Sequence, residues 1–243
     1  LGLMVGANTF RNPGLTAKLA TTLDHVSGGR AVLGIGGAWF EREHDAYGFD
    51  DTWGSGFGER LDRLDESVML LRRLLDGERF SHEGRFYTMR DALCEPRPVQ
   101  DHLPILIGGS GPKKTLRTTA RYADAWNTSG ELDEVSAKLA ILDEHCAAVG
   151  RDRSEIELTI SFPIVIRDTV EAAQAAATER FAFNGVENAG PGPHLAGPPD
   201  EVAAAIAPFR DLGFSTVIVR LPAPFDQETI ERIGEVGTLL DRG

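Results

Sequence analysis

Apolar positions alternate along the chain between short continuous runs and stretches spaced by three and four. The runs "LGLMVG" (1–6), "AVLGIG" (31–36), "PILIG" (104–108), "IELTISFPIVI" (156–166) and "STVIVRL" (215–221) read as strands buried on both faces, and "DAWNT" (124–128) as a shorter one. Between them lie helical patterns. Asn12-Pro13 opens the first, with Asn as N-cap and Pro at the first helical position, and Leu15, Leu19, Leu23 and Val26 define one face. Ser27-Gly28-Gly29 closes it. Leu61, Leu64, Val68, Leu71 and Leu75 place an amphipathic helix over 59–76. Further helices are expected over 112–122, over 131–149 with Gly150 at the C-cap, and over 168–183, 200–212 and 226–241.

Two short runs about a Glu-Gly turn in "RFSHEGRFYTM" (79–89) predict a hairpin, inserted within 77–103, and "GVENAGPGPHLAGPP" (185–199) a loop. Six strands alternating with helices predict a single α/β domain over 1–243 with a parallel sheet. Periodicity alone leaves a closed barrel and an open doubly wound sheet equally available.

Charge and composition narrow the partners. A formal net charge of −12 disfavours nucleic acid and anionic membrane surfaces, both of which select clustered Lys and Arg. Hydrophobic content of 42% is that of a globular chain, with no apolar run long enough for a bilayer and no signal-peptide pattern. Cys94 and Cys146 share no metal-ligand spacing and are expected as reduced thiols in a cytoplasmic protein. Without a secretory route, Asn127-Thr128-Ser129 is expected to be an accidental glycosylation match.

Candidate chemistry falls at the strand C-terminal ends, where α/β folds place their sites: Gly6-Ala7-Asn8, Gly36-Gly37-Ala38-Trp39, Gly109-Ser110-Gly111, Thr128-Ser129 and Arg220-Leu221-Pro222. "GIGG" (34–37) is not a dinucleotide fingerprint, because Trp39 stands where the third glycine belongs. Residues 108–115 approach a P-loop, but Lys113 replaces its second glycine and no strand ends in an aspartate for magnesium. What remains is a glycine-rich turn and a helix start with lysines beside it, suited to a single phosphate. "EREH" (41–44) lacks metal-ligand spacing and is expected to be a solvated, salt-bridged face; no metal is expected. The other histidines, His25, His82, His102, His145 and His194, are isolated, and none forms a triad with Ser or Cys.

The stretches "NTFRNPGLTAKLATTLDHVSGGRAVLGIGGAWFEREHDAYG" (8–48), "GERLDRLDESVMLLRRLL" (58–75), "PILIGGSGPKKTLRTTARYADAWN" (104–127) and "TVIVRLPAPFDQETIERIGEV" (216–236) together resemble the bacterial-luciferase-like oxidoreductases, most closely the branch using the deazaflavin coenzyme F-420 (F420). The resemblance implies a TIM (β/α)8 barrel, a homodimer, and a flavin ring at the strand C-termini. Two βα units, on the order of 60–70 residues, would precede the stretch equivalent to residue 1, and the catalytic proton-handling group, unassigned here, would lie in them. Met4-Val5 align with a bulged strand end that often carries a non-prolyl cis peptide behind the ring. Gly6, Ala7 and Asn8 would border the ring or its ribityl chain, and Gly37 and Ala38 would end the next strand. Trp39 stands where a sugar-phosphate dehydrogenase branch has a catalytic glutamate, and Arg42 where that branch has a cofactor-contacting asparagine. Ser110-Gly111 and Lys113-Lys114 align with the phosphate segment, Gly109 before them is also expected to bind the cofactor, and "GPP" (197–199) aligns with a helix start. The implied activity is hydride transfer between F420 and a small organic substrate. The alternatives are an FMN-dependent monooxygenase using reduced flavin and oxygen, and a non-catalytic flavin-binding protein.

Overall fold

The computed structural model describes residues 1–185 and 194–241. It resolves into one unit of Leu1–Asn127 with Lys138–Glu157 and another of Thr128–Ala137 with Leu158–Gly243.

In the first unit four parallel strands lie in the order β1 (Gly6–Ala7), β2 (Leu33–Gly36), β5 (Ile105–Gly108) and β6 (Ala125–Thr128). The expected strand over 1–6 is shorter than its apolar run. Residues 1–5 run beside β2 outside the ladder: Val32 N–H donates to the Leu1 carbonyl at 2.9 Å, and the Met4–Val5 peptide is cis. A Cβ on Gly34 would lie 1.9 Å from the Leu3 carbonyl oxygen, so only glycine lets the two backbones approach this closely.

Helix α1 (Pro13–Ser27) starts as expected, with the Asn12 side chain accepting from Gly14 N–H. Its buried face is not the Leu stripe. Leu15, Leu19 and Val26 are exposed, whereas Ala17, Ala20, Thr21 and Asp24 are buried. Small side chains let α1 approach its neighbour closely, and Asp24 must sit inside because its donors are there: Gln100 N–H and Nε2, at 3.0 and 2.7 Å, and Ala31 N–H at 3.3 Å. That rotation turns Leu15 and Leu19 outward and leaves Leu23 half-buried against the core. Two short helices, α2 (Glu41–Tyr47) and α3 (Asp50–Trp53), follow β2 and lead to α4 (Phe57–Leu75). All five apolar residues expected on the inner face of α4 are buried, each contributing about 1.5–3 kcal/mol.

The hairpin forms as β3 (Phe80–Glu83) and β4 (Thr88–Ala92), antiparallel. Glu66 of α4 ties it down by accepting from Phe86 N–H, Tyr87 N–H and His82 Nε2 at 3.0–3.1 Å. Helix α5 spans Thr115–Tyr122, three residues later than the expected start, and α6 spans Leu132–Val149, followed by Gly150 at φ 70°.

In the second unit β7 (Glu157–Ile166) pairs in parallel with β8 (Leu195–Gly197) through its C-terminal half and with β9 (Thr216–Arg220) through the rest. The helices are α7 (Val170–Phe183), α8 (Pro199–Asp211) and α9 (Gln227–Leu240). Thr229 joins α9 to the end of β7, donating to Asp226 and accepting from Ile166 N–H at 2.7 and 2.9 Å. Asp226 is buried between Arg167 and Arg180, each 3.1 Å away. Burial alone would raise its pKa, but the Arg167 and Thr229 hydrogen bonds outweigh that and hold it below the usual value.

The described residues thus carry seven parallel strands rather than six. The additional one, β8, lies in the expected Gly/Pro loop, of which 186–193 fall outside the described residues. Three residues without a repeat carry too little pattern to be recognised as a strand.

Candidate functional site

Strand register builds the site. Ala7 pairs with Gly36, Gly36 with Gly108, and Gly108 with Asn127, so these four form the last cross-strand row of the first unit's sheet. At about 4.8 Å between strands the row is about 14 Å wide. All four line one cleft of about 560 Å³ at the strand C-termini. Val5 closes its back. Cβ atoms on Gly36 and Gly108 would each lie 2.8 Å from Val5 Cγ2, so the two glycines make room for that one side chain.

Of the residues expected at the site, Met4, Val5, Gly6, Ala7, Gly37, Ala38 and Gly109 line this cleft. Ala38 sits at φ 65°, a left-handed conformation that a non-glycine residue adopts only where its surroundings impose it. Asn8 lies just behind the wall. It is 3% exposed, its Nδ2 donates to the Arg60 carbonyl at 3.2 Å, and its Oδ1 is buried without a partner. Arg42 is exposed on α2 and outside the cleft wall.

Ser110, Gly111, Lys113 and Lys114 are also off that wall, in the turn from β5 to α5. Lys114 is occupied: its Nζ lies 2.6 Å from Asp62 Oδ1 and donates to the Gly58 carbonyl at 2.9 Å. Lys113 is exposed. Gly111 packs closely enough that a Cβ there would meet Thr115 Oγ1 at 2.8 Å.

The expected solvated, salt-bridged face at 41–44 is corrected at two positions, since half-buried Glu43 and buried His44 both line the cleft. His44 is 1% exposed and lines the cleft, stacked on Phe10 at 4.3 Å and beside Trp53 at 4.5 Å. Its Nδ1 is 3.1 Å from the Phe40 carbonyl, which can only accept, so Nδ1 carries the proton. In the neutral ring Nε2 then accepts from the Thr9 hydroxyl at 2.6 Å. His44 thereby joins Phe40 at the rim to the 3-10 turn Asn8–Phe10 after β1. Arg60 is buried nearby, stacked over Trp53 at 3.6 Å, with its Nη1 donating to the Trp53 carbonyl and its Nε unpartnered. Burial lowers its pKa, opposed by the charge of Glu41, and the guanidinium stays protonated.

The other histidines take structural partners. His25 and His145 bond the Arg97 and Pro112 carbonyls, and His82 and His102 lie against Glu66 and Asp124. Asn127, in the glycosylation match, is 7% exposed, and both cysteines are buried and free. Among the described residues no helix is long and apolar enough to cross a membrane.

The cleft also takes Leu3, Phe10, Arg11, Phe40, Glu43 and Phe57, none of which sequence reasoning selected. The available signal was the clustering of aromatics in "AWFEREH" and at the start of α4, directly after a strand end.

Residues 1–194 match the family model described as luciferase-like monooxygenase. An uncharacterised protein of Mycobacterium tuberculosis is 33% identical over 63% of this chain, and the match spans about half, 52%, of that protein. An F420-dependent glucose-6-phosphate dehydrogenase of Microbacterium testaceum is 28% identical over 97% of this chain and 76% of its own length. An FMNH(2)-dependent dimethylsulfone monooxygenase of Pseudomonas putida is 28% identical over 87% of this chain and 60% of its own. Among solved structures, the coenzyme F420 dependent tetrahydromethanopterin reductase of Methanopyrus kandleri superposes with a TM-score of 0.79 at 20% identity, covering 100% of this chain and 82% of that one.

Proposed function

Because this chain belongs to the luciferase-like family of oxidoreductases, we propose that it transfers a hydride between F420 and a small organic substrate. The observation that carries this reading is the row Ala7, Gly36, Gly108 and Asn127. It offers a wide floor, half of it glycine, at the strand ends, with Met4, Val5 and Phe10 beside it. Such a surface suits a flat fused ring, since glycine lets a planar ligand approach the backbone. The deazaflavin supplies the hydride chemistry when bound.

This chain's own residues bind and orient. Met4 to Ala7, Gly37, Ala38 and Gly109 would flank the ring. Ser110 and Gly111 would present backbone N–H groups to its phosphate, with Lys113 adding a charge-assisted bond. Lys114, held by Asp62, instead fixes the turn against α4. Apolar walls exclude water from the reacting atoms. The second reading, an FMN-dependent monooxygenase, is favoured by the similarity to the dimethylsulfone enzyme, which covers most of this chain. We further propose that the protein works as a cytoplasmic homodimer.

Titration of the protein with F420 and with FMN, followed by fluorescence quenching, tests the cofactor. Tighter binding of F420 is expected. Gly111→Asp places a carboxylate in the phosphate turn and should weaken F420 by at least about tenfold, or 1.4 kcal/mol. Tighter FMN binding overturns the deazaflavin reading, and an unchanged Gly111→Asp affinity overturns the phosphate placement.

A further inference from the structure

We infer that the rim of this cleft selects an uncharged, apolar small molecule, an alcohol or its carbonyl partner, and that Trp39 sets that preference. The reaction rests on the hydride-transfer reading above; the chemical class of the substrate rests on the rim alone.

Sixteen large apolar side chains are exposed among the described residues, and five of them, Leu3, Met4, Trp39, Phe40 and Phe57, line this one cleft. Single exposed apolar residues are ordinary, but a contiguous group around a concave site marks a binding groove. Trp39 is 83% exposed, an unusual position for so large an apolar ring. Its indole meets the Phe40 ring at 5.3 Å between centroids, tilted by 38°, and the pair presents an aromatic surface at the mouth.

Charge decides against an anionic substrate. Among the described residues, Arg11 and Glu43 are the charged side chains lining the cleft, one of each sign. His44 has both ring nitrogens engaged, by Thr9 and Phe40. A phosphate ester carries up to two negative charges and is held by converging Arg, Lys and N–H donors. Among the described residues this rim offers one arginine and one carboxylate beside apolar side chains. An alicyclic or aliphatic alcohol finds apolar contact with Leu3, Met4, Trp39, Phe40 and Phe57 and carries no charge that the rim must match.

The indole itself reports binding. Trp126 is fully buried and Trp53 lies under Arg60, so Trp39 dominates quenching by acrylamide. In the protein without added cofactor, cyclohexanol should lower the quenching constant by at least about twofold, because a pocket covers most of what it binds. The emission should shift to the blue. Trp39→Phe removes the reporter and gives the residual quenching of Trp53 and Trp126, which cyclohexanol should leave unchanged, and glucose 6-phosphate should leave the wild-type constant unchanged. The exposure of Trp39 makes this substitution harmless to folding, which a thermal melt checks, and the two ligands on the wild-type protein decide the question regardless. Absence of protection by cyclohexanol, or protection by glucose 6-phosphate, overturns the inference. F420 titration of the same sample keeps the two readings apart. Protection without F420 binding leaves the rim inference standing and removes the deazaflavin, whereas F420 binding without protection does the reverse.

Discussion

Val5 is the residue on which the back of the cleft depends. Its methyl groups fill the space above Gly36 and Gly108, the central pair of the last row of the sheet. Gly108→Ala would place a Cβ 2.8 Å from Val5 Cγ2 and 3.0 Å from Cγ1, in a wall with no slack. The expected result is destabilisation by about 1–3 kcal/mol, together with weaker F420 binding as Val5 is pushed into the cleft. Urea denaturation and cofactor titration measure the two effects; unchanged stability and affinity would mean that Val5 does not form the wall. The glycines at the strand ends stand out in the sequence, and Met4-Val5 is pointed to by the family resemblance alone; both line the cleft. The aromatic residues were not. Phe10, Phe40 and Phe57 sit in a 3-10 turn, a helix cap and a helix start, where no periodicity separates a wall residue from a core residue. The spacing of "EREH" excludes a metal site and leaves a solvated face as the reading for His44, which fits its exposed neighbours Glu41, Arg42 and Asp45 but not His44 itself. Glu43 and His44, in that same turn of helix, line the cleft instead.

At the scale of elements, α4 is the part that sequence pattern described best, since its apolar spacing and its burial coincide. Helix α1 is the instructive contrast. Its leucines suggested the inner face, but a buried carboxylate with three donors outweighs them and rotates Asp24 inward. Burial alone would raise the Asp24 pKa; the Gln100 and Ala31 hydrogen bonds more than reverse this and leave it below its ordinary value. A carboxyl whose pKa is depressed on folding adds stability above its unfolded value of about 3.9, and that stability is lost as pH falls through the folded value. Stability of the wild-type protein should therefore drop more steeply than that of Asp24→Asn as the medium is acidified from about pH 5 to below 3. Urea midpoints across that range give the comparison, and parallel profiles would contradict the role assigned to Asp24. Strand β1 illustrates a different limit. Its apolar run gives no sign of where pairing begins, which is set by the close approach of Leu3 to Gly34.

For the whole molecule, alternation of strand and helix was enough to give an α/β class with parallel strands, and the family match and the solved relative agree with it. Substrate and cofactor were less legible, because one scaffold hosts many chemistries and the deciding side chains lie in loops. The similarity to both an F420-dependent dehydrogenase and an FMNH(2)-dependent monooxygenase carries that ambiguity directly. The two readings differ in their dependence on oxygen. A hydride donor reduces its substrate under argon, whereas a monooxygenase consumes oxygen for each turnover. The most direct measurement is to mix the protein anaerobically with reduced F420 and a neutral ketone such as cyclohexanone and to follow the visible absorbance of the oxidised deazaflavin. Reappearance of that absorbance, matched mole for mole by cyclohexanol, is the predicted result. No reoxidation under argon, with oxygen uptake and product formation only when reduced FMN is supplied, would contradict it.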